Sequence, residues 1–145
     1  MRAVVGHAFG GIDSLRLEET PSPALEPGTI RIAVHAAGVS FANLLFIAGK
    51  HQNRPQLPFV PGTEIAGIVT GIAPDVSTRL RIGDRVCAGL PSGGFAEEAV
   101  VDAGDSELGL VGVERVEMLT VCIGVGVSGA GDRAGPFRRP WAQTL

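Results

Sequence analysis

Few residues of this chain could do chemistry, and the ones that could are mostly hydrogen-bonding groups. Ser40 brings a hydroxyl to the head of an apolar segment, Phe41-Ala42-Asn43-Leu44-Leu45-Phe46-Ile47-Ala48, and Asn43 adds a carboxamide within it. Thr63 and Glu64 adjoin a second apolar run, Ile65-Ala66-Gly67-Ile68-Val69. A carboxylate beside such a run needs a partner or water. Neither Ser40 nor Thr63 is a usual zinc ligand, since zinc prefers thiolate, imidazole and carboxylate. The 3 histidines, His7, His35 and His51, fall on different elements and read as surface or loop residues. Cys87 and Cys122 make neither a disulfide framework nor a zinc site.

The elements that must position these groups read as short strands. Arg2-Ala3-Val4-Val5 is a short apolar strand, and Leu15-Arg16-Leu17-Glu18 alternates as a half-buried strand does. Phe9-Gly10-Gly11 is a turn, and Pro21, Pro23, Pro27 and Gly28 mark a loop. Thr29 to Ala37 has the clearest period of two: Ile30, Ile32 and Val34 on one side, Arg31, Ala33 and His35 on the other. Ser40 is a good N-cap for a short helix over 41–48, and Gly49 sits where a C-terminal glycine would. The stretch Leu57-Pro58-Phe59-Val60-Pro61-Gly62 stiffens and turns the chain into a strand over Glu64 to Ile72. Gly67, inside that strand, predicts a bulge or a close backbone approach. A turn at Ile82-Gly83-Asp84 leads into a strand through Cys87 and Ala88, and Phe95 to Val101 forms another. Many short strands at close spacing with one short helix predict a sandwich or barrel rather than an alternating βαβ fold.

The bulk properties narrow the class. The chain has 145 residues, 45% hydrophobic and 19% charged, which fits a globular domain with a real core. The net charge is −3, and no basic cluster appears before the last few residues, which argues against nucleic acid or anionic membrane as partner. The apolar runs are broken well short of a membrane span, and the N-terminus lacks a signal-peptide core, so the expected location is cytoplasmic. The 21 glycines and 10 prolines suit turns and strands.

In that frame three blocks resemble the N-terminal catalytic domain of the medium-chain dehydrogenase/reductases, within their zinc-free quinone oxidoreductase, or zeta-crystallin-like, group. The blocks are Ala36-Ala37-Gly38-Val39-Ser40-Phe41-Ala42-Asn43-Leu44-Leu45, Leu57 to Val69, and Gly83-Asp84-Arg85-Val86 with Gly93-Gly94-Phe95-Ala96-Glu97. The resemblance implies a mainly β, GroES-like, partly open β-barrel over residues 1–102, with one or two short helices and no Rossmann domain. Zinc-dependent members place cysteine at the Ser40 position and histidine at the Thr63 position, so no metal is expected here. The implied reaction is hydride transfer from NADPH to a quinone, an enone or another conjugated carbonyl compound. The implied site residues are Ser40 and Asn43 as catalytic groups, with Ser40, Asn43 and Thr63 against the cofactor. Quinone reductases of this group often carry a tyrosine on the same helix; this chain has none, so an aromatic hydroxyl cannot act there.

After Asp102 the resemblance stops, and residues 103–145 read as a tail. Gly124-Val125-Gly126-Val127-Ser128-Gly129 matches G-x-G-x-x-G formally. The residues after it hold Gly131, Gly135, Pro136 and Pro140, which oppose the helix that a dinucleotide fingerprint requires. The expectation is a tail translated out of frame or a truncated gene; the competing expectation is a genuine strand over Glu117 to Val127. Residues 1–102 are thus expected to be the substrate-side domain of an NADPH-dependent oxidoreductase, inactive alone, with self-association through exposed apolar surface. The alternative is a non-catalytic GroES-like barrel serving as a binding or assembly module, or an inactive gene remnant.

Overall fold

A computed structural model describes residues 1–104 and the backbone of a short strand at 109–110. Strand β1 (Arg2–Gly6) pairs antiparallel with β2 (Leu15–Glu19) across a single 3-10 turn at Ile12–Ser14. The larger sheet holds β3 (Thr29–Ala37), β4 (Glu64–Ile72), β5 (Arg85–Gly89), β6 (Glu98–Asp102) and β7 (Gly109–Leu110), in the order β6-β3-β4-β5-β7. Every pairing among the described residues is antiparallel. The α-helix among the described residues, α1 (Phe41–Ile47), follows β3. The fold is therefore mainly β, and the two sheets stay open toward each other. The large sheet also continues past residue 102 through β7, which pairs with β5.

The period of two in β3 does what it predicts. Ile30 and Ile32 are fully buried and meet Ile65 and Val69 of β4 and Val86 of β5 in one core. Burying side chains of this size contributes about 1.5–3 kcal/mol each. Arg31 and His35 point away from that core, and His35 is exposed at an irregularity in the β3–β4 register between Val34 and Ala36. A second cluster, Phe46, Ile47 and Phe59 with Phe9 and Leu15, seats α1 against the small sheet. Its rings meet edge to face (Phe46–Phe59, 5.8 Å) and stacked (Phe9–Phe59, 5.7 Å), arrangements that suit the ring quadrupoles. Gly49, with φ +67°, ends the helix as expected.

The last strand differs from expectation. Phe95–Glu97 lies outside β6, because its backbone is shared between β1 and other partners; the Glu97 carbonyl still accepts from the Val34 N–H of β3 (2.8 Å). Val4 N–H donates to the Phe95 carbonyl (2.8 Å), and Glu97 N–H donates to the Arg2 carbonyl (3.0 Å). With the bridge between Gly6 and Phe59, this segment joins the two sheets.

Glu97 also anchors the N-terminus. Its carboxylate accepts from the Arg2 backbone N–H (2.8 Å) and from Arg2 Nε (2.7 Å). The Arg2 backbone hydrogen bond, then its side-chain bond, hold the Glu97 carboxyl below its ordinary value. The folded pKa is depressed, so this contribution to stability is present above the ordinary glutamate range and lost as pH falls through the lower folded value. The pair is open to water, so the effect is small. A carboxyl chemical-shift titration should place Glu97 below the exposed glutamates, and Arg2→Ala, which removes the guanidinium but keeps the backbone N–H, should return it only part of the way.

Candidate functional site

The residues flagged in the sequence meet where β3 ends and β4 begins. Gly38 leaves β3 and donates its N–H to the Glu64 carbonyl (2.9 Å). The Glu64 side chain lies against Gly38, where a Cβ would come within 2.8 Å of a carboxylate oxygen. A side chain there would displace the carboxylate and crowd the Glu64 Cβ, 3.3 Å away. Ser40 then heads α1 with extended backbone, φ −127° and ψ 167°.

Ser40 occupies the N-cap position, but its side chain makes no capping hydrogen bond. Serine is ordinarily selected there for that bond. The Asn43 N–H turns back to the Ser40 carbonyl instead (3.1 Å). The Ser40 hydroxyl is left half-buried on the rim.

Asn43 points inward. It is 1% exposed, the one buried polar side chain among the described residues. Its Nδ2 donates to the Gly38 carbonyl (3.1 Å) and its Oδ1 accepts from Thr63 Oγ1 (3.4 Å). Asn43 thus ties the end of β3 to the start of β4 from beneath, rather than serving as a polar residue of the capping turn. Thr63 is partly buried, and its carbonyl accepts from the Leu90 N–H (2.9 Å). The sequence gives little sign of this brace, because a carboxamide on an apolar helix has no periodic signature. The Gly38 contact is equally silent in the sequence, although it lies inside the block that carries the resemblance.

The rim is apolar. Val39 is 78% exposed, Phe41 72% and Leu44 47%. Ser40 therefore sits as one hydroxyl among exposed hydrocarbon. Such a surface can face a flat, weakly polar molecule and offer it a hydrogen bond. It does not suit zinc: beside the Ser40 and Thr63 hydroxyls and the Asn43 amide the corner holds a single carboxylate, Glu64, and among the described residues no three His, Cys, Asp or Glu side chains come together. A separate open depression of about 300 Å³ lies at the seam of the two sheets, lined by Arg2, Leu17, Val34, His35, Phe95 and Glu97. It includes none of Ser40, Asn43 or Thr63. No helix among the described residues is long and apolar enough to cross a membrane. The glycine motif at 124–129 and the tail expectations lie outside the described residues.

Residues 26–110 match the alcohol dehydrogenase GroES-like domain family. The chain is 46% identical over 86 residues to quinone oxidoreductase-like protein 2 of Bos taurus, covering 59% of this chain and 24% of that one. It is 37% identical over 110 residues to the synaptic vesicle membrane protein VAT-1 homolog of Rattus norvegicus, covering 74% and 27%. Among solved structures it superposes on the quinone oxidoreductase of Thermus thermophilus, a protein also solved in complex with NADPH. The TM-score is 0.66 at 32% identity, over 82% of this chain and 36% of that one. The chain thus spans about a quarter of the length of these curated relatives.

Proposed function

Since the chain belongs to the alcohol dehydrogenase GroES-like domain family, we propose that residues 1–102 form the substrate-side domain of an NADPH-dependent oxidoreductase. Its substrates are quinones or related conjugated carbonyl compounds. The observation that carries this reading is the Ser40 hydroxyl, which heads a helix without capping it and stands between two exposed apolar side chains. A quinone stabilises the charge it gains, so the protein need only orient it and donate hydrogen bonds to its oxygen. Ser40 makes that donation, and Val39 and Phe41 pack against the flat ring. Asn43 and Thr63 hold the Ser40 loop from beneath. NADPH, when bound, supplies the hydride. The uncapped hydroxyl and the apolar rim fit a nicotinamide ring, which Ser40 would meet, with Asn43 and Thr63 behind it.

The proposed setting is the cytoplasm, with a small molecule as partner. In this reading residues 1–102 alone bind NADPH weakly and turn over little. Millimolar NADPH with a quinone should shift the amide resonances of residues 38–45 and 62–64. Shifts confined to other residues, or none, would sink the proposal. Tight NADPH binding would overturn its statement about weak affinity.

Ser40→Ala separates this role from capping. Losing a cap bond costs about 0.5–2 kcal/mol. With no such bond here, urea unfolding should move by less than about 0.5 kcal/mol, while the quinone-induced shifts near residue 40 fall away. A second reading, a non-catalytic binding module, is favoured by the same exposed Val39, Phe41 and Leu44. It predicts that Ser40→Ala changes neither measurement.

A further inference from the structure

Among the described residues the small sheet leaves one strand edge open. The Met1 amine and the Thr20 carbonyl, and the Thr20 N–H and the Met1 carbonyl, form a mutual hydrogen-bonded pair. Hydrogen-bonded and non-bonded pairs alternate along an antiparallel ladder. In the β1–β2 register, Ala3↔Glu18 and Val5↔Arg16 are then bonded pairs, and Arg2↔Glu19, Val4↔Leu17 and Gly6↔Leu15 are not. The opposite side of β1 agrees. There the Arg2 carbonyl and the Val4 and Gly6 N–H groups bond to Glu97, Phe95 and Phe59. On β2 the backbone groups of Leu15, Leu17 and Glu19 therefore point outward. Among the described residues no strand pairs with that edge. The Leu15 N–H is used by the preceding turn, donating to the Ile12 carbonyl. The edge is also apolar at its centre, where Leu17 is 68% exposed.

Edge strands commonly carry charges that repel a second strand. The charges on β2 do the reverse. Arg16 and Glu18 stand on either side of Leu17, so an antiparallel copy related by a two-fold axis at Leu17 sets each Arg16 opposite the other copy's Glu18. Leu17 faces Leu17 as a bonded pair, and the Glu19 N–H reaches the Leu15 carbonyl. The Arg16–Glu18 positions become non-bonded pairs, where side chains are closest. Arg16 is free to turn. It makes no ion pair within the described residues and donates only to the Asp13 (2.6 Å) and Leu15 (2.8 Å) carbonyls on the surface. Glu18 meets His7 (2.8 Å), an exposed contact that leaves room for a guanidinium. We infer that β2 pairs with β2 of a second copy of this chain, forming a two-fold dimer through a continuous four-stranded sheet. A two-fold contact needs a self-complementary patch, which this five-residue strand supplies.

Sedimentation of the whole chain over a range of concentrations tests this. The wild type should show a reversible monomer–dimer equilibrium. Arg16→Glu and Glu18→Arg should each weaken it by about tenfold or more, because each places like charges opposite one another. Mixed together, the two variants should form a heterodimer, since each restores the other's missing sign; unfolded chains could not do this. The exchange Arg16→Glu with Glu18→Arg should recover the homodimer. Leu17→Pro should abolish it while sparing the β1 ladder, because the lost N–H points outward. A wild type that stays monomeric throughout, single variants that dimerise like wild type, or a mixture that stays monomeric would each overturn the inference.

Discussion

Gly67→Ala should cost about 4 kcal/mol, at the severe end of single substitutions. A Cβ on Gly67 would fall on the Ala33 carbonyl oxygen, with Ile32 Cγ2 at 2.7 Å and the Ala33 carbonyl carbon at 2.9 Å. Gly67 lies opposite Val34 in β3 and Val86 in β5, so both neighbouring ladders would have to move. The obstacle is backbone rather than a rotatable side-chain end, and the packed core beneath it is fully buried. The conformation of Gly67 is not itself special; only the approach is. Gly71 in the same strand is the control. Its Cβ would meet Leu25 Cδ2 at 3.3 Å, a flexible end that can shift. Urea unfolding should show Gly71→Ala within about 1 kcal/mol of wild type and Gly67→Ala far below. Equal effects would mean that β3 and β4 are not this close. Against a total stability of about 5–15 kcal/mol, the larger loss decides whether the domain stays folded.

Asn43→Ala should be the next most damaging change, about 3 kcal/mol. It removes the partner of the buried Gly38 carbonyl and of the Thr63 hydroxyl, and leaves a hole beneath α1. Asn43→Asp is the sharper test. The aspartate keeps the size and can still accept from Thr63, but when ionised it turns only acceptors toward the Gly38 carbonyl. The protonated form can donate there, so folding favours it and raises the carboxyl pKa above its unfolded value. With a raised folded pKa, the stability is present at low pH and lost as pH rises through that value. The Asn43→Asp melting temperature should therefore approach wild type at acidic pH and fall away from it near neutrality. A pH-independent gap would show that the amide does not donate to Gly38. The same loss should loosen the Ser40 loop, so quinone-induced shifts should weaken in Asn43→Ala although Ser40 is intact.

The strands were legible because their signals are local. β3 and β4 run over Thr29–Ala37 and Glu64–Ile72, the bounds that alternation and the Pro-Gly turn predict. The helix was legible from Ser40 and Gly49, and the close approach at Gly67 from a glycine inside an apolar strand. Phe95–Glu97 was not, because its backbone hydrogen bonds divide among partners distant in the chain: Arg2 and Val4 of β1, Val34 of β3 and Pro61. Alternation within a segment says nothing about which sheet will claim it.

The site divides in the same way. Ser40, Asn43, Thr63 and Glu64 could be named from residue type and from the blocks around them, because the polar groups are few. What each one does is a matter of direction. Sequence alone makes Ser40 a helix cap and leaves Asn43 a carboxamide within the helix that follows, with no direction assigned to either side chain. The packing of α1 on Phe59 and Phe9 turns Asn43 inward to bridge β3 and β4, and leaves the Ser40 hydroxyl on the rim. The composition and motifs thus determined a mainly β domain of short strands and the polar residues at the corner where β3 and β4 meet. Only the tertiary structure decided which of them is held and which is offered, because a hydrogen-bond partner is fixed by the meeting of strand ends distant in sequence.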